Sequence, residues 1–179
     1  MIFTETLDCG VIGEGYANVS ADIASISRPE TIILPSEIRQ YGFLVNSDDI
    51  AEQNCVVSSS ELDLSTINRF STQSYFPVRY KLFKAKTLSQ TTELRRYTYL
   101  DKPRNADTFS LCAYASGTSH GIVSFFHAQF GDSIVSNDVR DSGHWHQAFH
   151  PFPEPIQVKP GKKYSFLLRP DGSISLCNG

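Results

Sequence analysis

Two glutamates near the start of the chain have a spacing that suits the binding of a cation. Glu5 and Glu14 are separated by eight residues in the segment TETLDCGVIGEGYANVS, which also contains Gly10, Gly13 and Gly15. A guanidinium group is planar and permanently charged, and its five donors have fixed directions. One carboxylate can pair with it through two hydrogen bonds while the second contacts another nitrogen, which fixes its orientation. The pattern therefore suits a clamp for a guanidinium group, in which the glycines would make the loop flexible enough to bring the two glutamates together.

The same segment has two other interpretations. A glycine-rich loop before a helix can bind a phosphate group at the helix N-terminus. The glycines here follow the order G-x-x-G-x-G instead of G-x-G-x-x-G, and Glu14 would repel an anion. We therefore reject a phosphate loop. The second interpretation is that both glutamates are simply solvated, because glutamate is mostly an exposed residue.

Composition restricts the class of protein. The chain has 179 residues, 40% hydrophobic and 20% charged, which is ordinary for one globular domain with its own core. Its net charge is −3 and it has no run of Lys and Arg, so we expect no nucleic-acid partner. The first residues lack a signal-peptide pattern and no apolar run reaches membrane-spanning length. We therefore predict a cytoplasmic protein with no membrane partner and with free thiols at Cys9, Cys55, Cys112 and Cys177, whose spacing suits no metal site.

Strand patterns dominate the rest of the chain. Short apolar segments rich in β-branched and aromatic residues alternate with Gly, Pro, Asn, Asp and Ser clusters. The stretches KPGKK and RPDGS have the residues of tight turns. We predict a mainly β fold, an antiparallel β-barrel or sandwich, with a short strand and helix at its N-terminus. The segments expected to be strands are TIILP, YGFLV, RRYTYL, FSLCAYA, GIVSFFHAQF, IQVKPGKKYSFLL and GSISL.

One helix is expected near the start, and the middle of the chain is less regular. In GYANVSADIASIS, apolar residues recur every three or four positions, at Tyr16, Val19, Ile23 and Ile26. Residues 46–90 are polar and weakly periodic, which predicts long loops or an insertion. A helical turn within this part would be capped by Ser60 or Asp63.

Three motifs in the right order resemble the protein arginine methyltransferase family. The spacing of Glu5 and Glu14 is similar to the family's double-E loop, in which a strand ends in Glu and eight residues precede a second Glu and a helix. RPETIILPSEIRQYGFLV resembles the family's entry into its β-barrel. GHWHQ at residues 143–147 resembles the Thr-His-Trp loop, with Gly143 in place of the threonine, and AFHPFPEPIQVKPGKKYSF resembles the closing strands.

The resemblance implies roles for four residues. Glu5 and Glu14 would bind the substrate arginine of a protein or peptide, and His144 and Trp145 would form the supporting loop and part of the pocket. Methyl transfer requires the nitrogen lone pair to be aligned and the cation's charge to be balanced. His144 or one of the carboxylates would then accept the released proton. The predicted catalytic residues are therefore Glu5, Glu14 and His144, with Trp145 added for substrate binding.

The resemblance also implies S-adenosylmethionine as cofactor, bound by a Rossmann-like domain that precedes the double-E loop in the family. No stretch here has the glycine loop of a βαβ unit, so residues 1–30 are expected to be the end of a methyltransferase domain. Residues 31–179 would be the β-barrel that binds substrate. We predict that the chain alone is inactive, and that its partners are a second copy or a separate chain with the cofactor domain.

Two alternatives belong to other classes of protein. HWHQAFH places His144, His146 and His150 in an H-x-H-x3-H pattern, and strand alternation would turn His144 and His146 to one face. Such a trio can bind Fe, Zn or Mn, as in the cupin barrels that the pattern resembles, although the fourth ligand has no counterpart. The other alternative is a non-catalytic module that binds arginine-containing peptides.

Overall fold

The computed structural model describes residues 1–56, 62–101, 105–141 and 143–177. These residues form a mainly β structure, with one helix near the N-terminus. Short 3-10 helices occupy Glu52–Asn54, Ser65–Phe70 and Tyr80–Leu82. The remaining elements are β1 (Ile2–Phe3), α1 (Tyr16–Ile26), β2 (Ile33–Leu34), β3 (Glu37–Asn46), α2 (Asp48–Ala51), β4 (Phe76–Val78), β5 (Lys86–Thr87), β6 (Thr92–Tyr97), β7 (Asp107–Cys112), β8 (Gly117–Phe130), β9 (Ser133–Ser136), β10 (Gln147–Val158), β11 (Lys163–Leu168) and β12 (Ile174–Leu176).

Two antiparallel sheets form the body of the fold. The larger has seven strands, in the order β4-β10-β8-β3-β5, with β6 also paired to β3 and β9 to β8. The smaller has the order β12-β11-β7, and β1 and β2 form a separate parallel pair. Within the described residues the strands do not close into one barrel. The mainly β prediction is therefore confirmed, and the sandwich-like arrangement is the one observed.

The long central strands are apolar on both faces because both faces are buried. Phe43, Leu44 and Val45 are consecutive on β3 and all are at most 3% exposed. Neighbouring side chains on a strand point to opposite faces. Leu44 packs between the two sheets with β7 and β11, whereas Phe43 and Val45 pack on the other face of the large sheet. Because both faces are covered, these strands show apolar runs instead of alternation.

The polar middle of the chain supplies the cover for that second face. The cluster on Phe43 and Val45 includes Ile50 of α2 and Val78 of β4, with Tyr80 packed against it. Where the structure describes it, the expected irregular segment consists of short helices that pack near the sheet and of β4 and β5, which pair with β10 and β3 in the same sheet. Asp63 accepts a hydrogen bond from the Ser65 backbone N–H (2.9 Å) at the start of the 3-10 helix Ser65–Phe70. The alternative cap, Ser60, lies outside the described residues.

The N-terminal helix and most predicted strands are confirmed. α1 spans Tyr16–Ile26, and its buried residues Tyr16 and Ile23 pack with Tyr97 and Phe126 of the large sheet. The expected apolar stripe ends earlier than predicted, because Ile26 is 69% exposed. The predicted turns are also observed, with the positive φ of 75° and 83° at Gly161 and Gly172 that favours glycine.

The helices and the packing of α1 concern two further predictions, on membrane spans and on the division into domains. No helix in the described part of the chain is long and apolar enough to cross a membrane. The division at residues 30 and 31 stays a prediction. α1, which precedes that division, shares a hydrophobic cluster with Ile38 and Tyr99, which follow it.

Candidate functional site

The two-glutamate loop, residues 5–14, is organised by a carboxylate between the two glutamates. Asp8 Oδ1 accepts hydrogen bonds from the backbone N–H groups of Gly10 (3.1 Å) and Gly13 (3.0 Å). The Asp8 carbonyl oxygen also accepts from the Val11 N–H at 3.2 Å. Short Asp side chains commonly bond to nearby backbone in this way and stabilise turns. Hydrogen bonds within the loop therefore contribute to its conformation.

A tyrosine from a distant segment contacts the same carboxylate. The Tyr75 hydroxyl donates to Asp8 Oδ2 at 2.8 Å. The tyrosine ring lies so close to the loop that a Cβ atom on Gly10 would approach it to 2.4 Å. A Cβ atom on Gly13 would lie 2.2 Å from the Asp8 carboxylate. These two glycines thus permit close contact, whereas Gly15 adopts a positive φ of 79° just before α1.

Glu5 and Glu14 are at the two ends of this loop. Both side chains are exposed, and neither has a hydrogen bond or an ion pair with another residue in the described part of the chain. Their carboxylates therefore remain free to pair with an added cation. Their roles as arginine ligands remain predictions.

The rings of His144 and Trp145 are in contact in the second predicted motif. Their ring centroids are 4.1 Å apart with an interplanar angle of 33°. Trp145 is half-buried and its indole ring meets Phe126 of β8 edge-on, with centroids 5.7 Å apart. His144 is exposed. The sheet thus holds the indole in place, and the indole supports the histidine.

Asn137 joins the two predicted motifs. Its Nδ2 donates to the carbonyl oxygens of Cys9 (3.3 Å) and His146 (2.7 Å), and its Oδ1 accepts from the Phe126 N–H (2.6 Å). Asn137 is only 1% exposed. Because one buried amide bonds to both loops and to the central strand β8, the two loops are fixed relative to each other.

The histidine trio of the metal alternative is not brought together. β10 begins at Gln147, so His144 and His146 precede the strand and the expected alternation does not apply to them. His146 Nε2 accepts from Arg79 Nε at 2.9 Å, and His150 lies in the core at 1% exposure. Among the described residues, no group of three or more His, Cys, Asp and Glu has an arrangement that would hold a metal ion.

Both ring nitrogens of His150 are used inside the fold. Nδ1 lies 2.7 Å from the Gly172 carbonyl oxygen, which can only accept, so Nδ1 bears the proton. Nε2 then accepts from the Ser124 hydroxyl at 2.8 Å, and Ser124 accepts from Gln40 Nε2 at 3.1 Å. Tyr97 donates to Gln40 Oε1 at 2.9 Å. Burial lowers the pKa of His150 from 6.5 to about 4, because the interior disfavours the charged ring.

The two loops border one surface cleft of about 680 Å³. Its wall includes Asp8, Cys9 and Gly13 from the two-glutamate loop, together with His144 and Trp145. Asp171 gives it a second carboxylate. Aromatic rings beside carboxylates suit a flat cation such as a guanidinium. The structure thus brings the loops together at one cleft, although Glu5 and Glu14 themselves are not among the residues that line it.

Cys9 is in this loop, but its thiol is not activated. Burial, with a smaller effect from the Asp8 charge, raises the pKa of Cys9 from 9.0 to about 12, and a nucleophilic cysteine needs a lowered pKa. All four cysteines are free thiols, as predicted.

Sequence reasoning missed three residues that hold the loops: Asp8, Tyr75 and Asn137. Asp8 had a local signal, since an Asp followed by Gly two residues later favours a side-chain-capped turn. Tyr75 and Asn137 had none, because they meet Asp8 and Cys9 across 67 and 128 positions of sequence.

The fold and the joined loops define a mainly β domain with a cleft built from two loops. No protein-family model matches the chain. The chain is 30% identical over 176 residues to the arginine N(omega)-methyltransferase of Streptomyces achromogenes subsp. streptozoticus. The aligned region covers 94% of this chain and 48% of that protein. The chain is 26% identical over 137 residues to protein arginine N-methyltransferase 9 of Homo sapiens, covering 73% of this chain and 16% of that one.

A solved structure has the same fold. The Trypanosoma brucei PRMT1 enzyme–prozyme heterotetrameric complex with AdoHcy aligns with a TM-score of 0.75 and 14% identity, over 94% of this chain and 56% of that chain. The resemblance of this chain to the protein arginine methyltransferases is therefore confirmed. The chain spans about half the length of the Streptomyces relative and a smaller share of the human one.

Proposed function

We propose that this chain is the substrate-binding part of an arginine N-methyltransferase-like protein, in which Glu5 and Glu14 bind the guanidinium group of the substrate. The main support is that two exposed carboxylates, without a partner among the residues that the structure describes, are at either end of a loop that Asn137 fixes against the His144–Trp145 loop. A guanidinium group bound between them would pair with both carboxylates and balance one of the two negative charges. The substrate is an arginine-containing protein or peptide.

The residues of the chain would then divide the chemistry. The glutamates would balance the guanidinium charge and hold one terminal nitrogen in a fixed direction, which is the main requirement for transfer to that nitrogen. Trp145 would form one wall of the pocket. His144 or a glutamate would accept the proton released from the nitrogen, and His144 is exposed beside the cleft, where it can exchange that proton with water.

The described residues do not fit the expected cofactor, S-adenosylmethionine. α1 is the only α-helix longer than four residues among them, and the only parallel strand pair, β1 with β2, has two residues in each strand. A nucleotide-binding βαβ unit needs a glycine loop between a longer strand and its crossover helix. We therefore propose that another domain or a separate chain binds the methyl donor.

The proposed partners follow from the same reasoning. A second copy of this chain and a chain that carries the cofactor domain are both proposed, and the heterotetrameric assembly of the Trypanosoma relative supports partnership between chains of this kind. We propose that the chain alone neither binds S-adenosylmethionine tightly nor methylates peptides. Titration calorimetry should detect no low-micromolar binding, and a dissociation constant in that range would refute this part of the proposal.

The substrate part can be tested on the chain itself through its single tryptophan. Trp145 borders the cleft, so its fluorescence reports binding there. A peptide with one arginine should bind more tightly than the same peptide with lysine, and Glu5→Gln or Glu14→Gln should weaken binding by about tenfold or more. Glu154→Gln, at an exposed position of β10, is the matched control. Equal affinity for both peptides, or no effect of either loop substitution, would disprove the assignment.

A non-catalytic peptide-binding module stays the second candidate, because the same clamp would bind arginine without chemistry. The two differ in one measurement. A separate chain comprising the part of the Streptomyces relative that this chain does not match should restore methylation if the chain is half of an enzyme. It should leave the peptide bound and unmodified if the chain is only a binding module.

A further inference from the structure

Tyr75, from the irregular middle of the chain, contacts the two-glutamate loop. Its hydroxyl donates to Asp8 Oδ2, while Asp8 Oδ1 holds the backbone amides of Gly10 and Gly13. A single carboxylate therefore connects the loop's internal hydrogen bonds to a residue outside the loop.

The ring of Tyr75 is enclosed on two sides. A Cβ atom on Gly10 would lie 2.4 Å from it, and a Cβ atom on Gly172, in the turn between β11 and β12, would lie 2.6 Å from it. Gly172 is itself held by the hydrogen bond from His150. The tyrosine is thus packed between the loop and a turn that is anchored in the core.

The loop needs such an outside constraint. Val11, in its centre, has φ of 79°, a region that a β-branched residue adopts only when its surroundings impose it. Val11 is fully buried, so the strained residue also forms part of the core. Loss of a contact that holds the loop would allow Val11 to relax and the loop to open.

We propose that Tyr75 is a positioning residue that, through Asp8, holds the two-glutamate loop in the conformation that presents Glu5 and Glu14 to a guanidinium group. The effect on guanidinium binding rests on the proposed function, but the conformation of the loop can be measured without any ligand. Cys9 lies inside the loop and is partly buried, whereas Cys55 and Cys112 are exposed. The alkylation rate of Cys9 relative to those two thiols therefore reports how often the loop opens.

The test compares Tyr75→Phe with Tyr80→Phe. The control removes a hydroxyl that bonds to Thr87 Oγ1 at 2.8 Å, away from the loop. With iodoacetamide and peptide-resolved mass spectrometry, Tyr75→Phe should raise the relative alkylation rate of Cys9 about tenfold, because a hydrogen bond to a charged group is lost. It should also weaken binding of the arginine peptide by a similar factor. Tyr80→Phe should change neither value.

Two substitutions of Asp8 separate positioning from a general loss of structure. In Asp8→Asn, the side-chain oxygen can still accept from the Gly10 and Gly13 amides, and the new side-chain N–H can donate to the Tyr75 hydroxyl oxygen. This variant should therefore keep Cys9 protected from alkylation. Asp8→Ala should lose this protection as Tyr75→Phe does.

Unchanged Cys9 protection in Tyr75→Phe would overturn the inference, and so would lost protection with unchanged peptide affinity. If the wild-type chain does not prefer the arginine peptide, the proposed function fails, while the Cys9 rates still decide whether Tyr75 holds the loop.

Discussion

His150 donates a hydrogen bond through Nδ1 to the carbonyl oxygen of Gly172 at 2.7 Å, in a core where the ring is 1% exposed. This contact fixes the neutral tautomer of the ring and anchors the turn on which Tyr75 packs. A histidine that the sequence offered as a metal ligand is therefore a structural residue of the core.

The neutral state of His150 predicts that stability depends on pH. Its pKa is lowered from 6.5 to about 4 in the folded protein, so the unfolded chain binds the proton more tightly. The stabilising contribution is complete above pH 6.5 and is lost as the pH falls toward 4. The free energy of unfolding measured with urea at pH 7.5 and at pH 4.5 should differ by about 2 to 3 kcal/mol because of this residue.

A matched pair of variants checks that assignment. His144→Gln changes an exposed ring and should keep the full pH dependence, whereas His150→Gln should be less stable at pH 7.5 and lose most of the dependence between pH 6.5 and 4.5. An unchanged slope in His150→Gln would show that another group titrates.

Asn137 is expected to be the main structural link between the two loops. Asn137→Ala leaves the buried Phe126 N–H and the Cys9 and His146 carbonyl oxygens without their partner. The free energy of unfolding should fall by about 2 to 3 kcal/mol, since unsatisfied buried groups are costly.

The fluorescence of Trp145 should shift in the same variant, because the loop that carries it loses an anchor. Asn18→Ala, at an exposed position of α1, should leave both stability and fluorescence within error. Wild-type stability in Asn137→Ala would contradict the role given to this amide.

Gly10 should tolerate no side chain while Tyr75 is present. A Cβ atom would come within 2.4 Å of the tyrosine ring, so Gly10→Ala should destabilise the protein by about 1 to 3 kcal/mol. In a Tyr75→Ala background the same substitution should cost much less, and thermal unfolding of the four proteins of the cycle would give the coupling. Gly143→Ala, where a Cβ atom would meet only the Ser136 carbonyl oxygen at 3.8 Å, is the control.

The buried hydrogen-bond network that runs from Tyr97 through Gln40 and Ser124 to His150 should behave as one unit. Ser124 accepts from Gln40 and donates to His150, so Ser124→Ala leaves two buried groups unpaired and should cost about 1 to 3 kcal/mol. A double-mutant cycle of Ser124→Ala with Tyr97→Phe should show coupling of about 0.5 kcal/mol or more through Gln40. If the two substitutions change the free energy of unfolding additively, the hydrogen bonds of this network are independent of one another.

Local patterns were sufficient for much of the fold. The apolar recurrence from Tyr16 to Ile23 predicted α1, and the Pro-Gly and Asp-Gly turns predicted where β11 begins and ends and where β12 begins. Where prediction failed, packing was the reason. Ile26 has the helical spacing of the stripe but is exposed, and β10 accommodates its prolines through a register shift between Pro151 and Ile156.

The sequence by itself determined the types of element, the motifs and the resemblance, because these depend on residue identity and spacing over short distances. It placed Glu5, Glu14, His144 and Trp145 in two separate loops. Only the tertiary structure decided that Asn137 joins those loops, that Tyr75 packs on Gly10, and that His150 belongs to the core and not to a site. The contacts of Asn137 with Cys9 and of Tyr75 with Gly10 join residues far apart in the chain, and no periodicity or short motif records which distant side chain a buried polar group will meet.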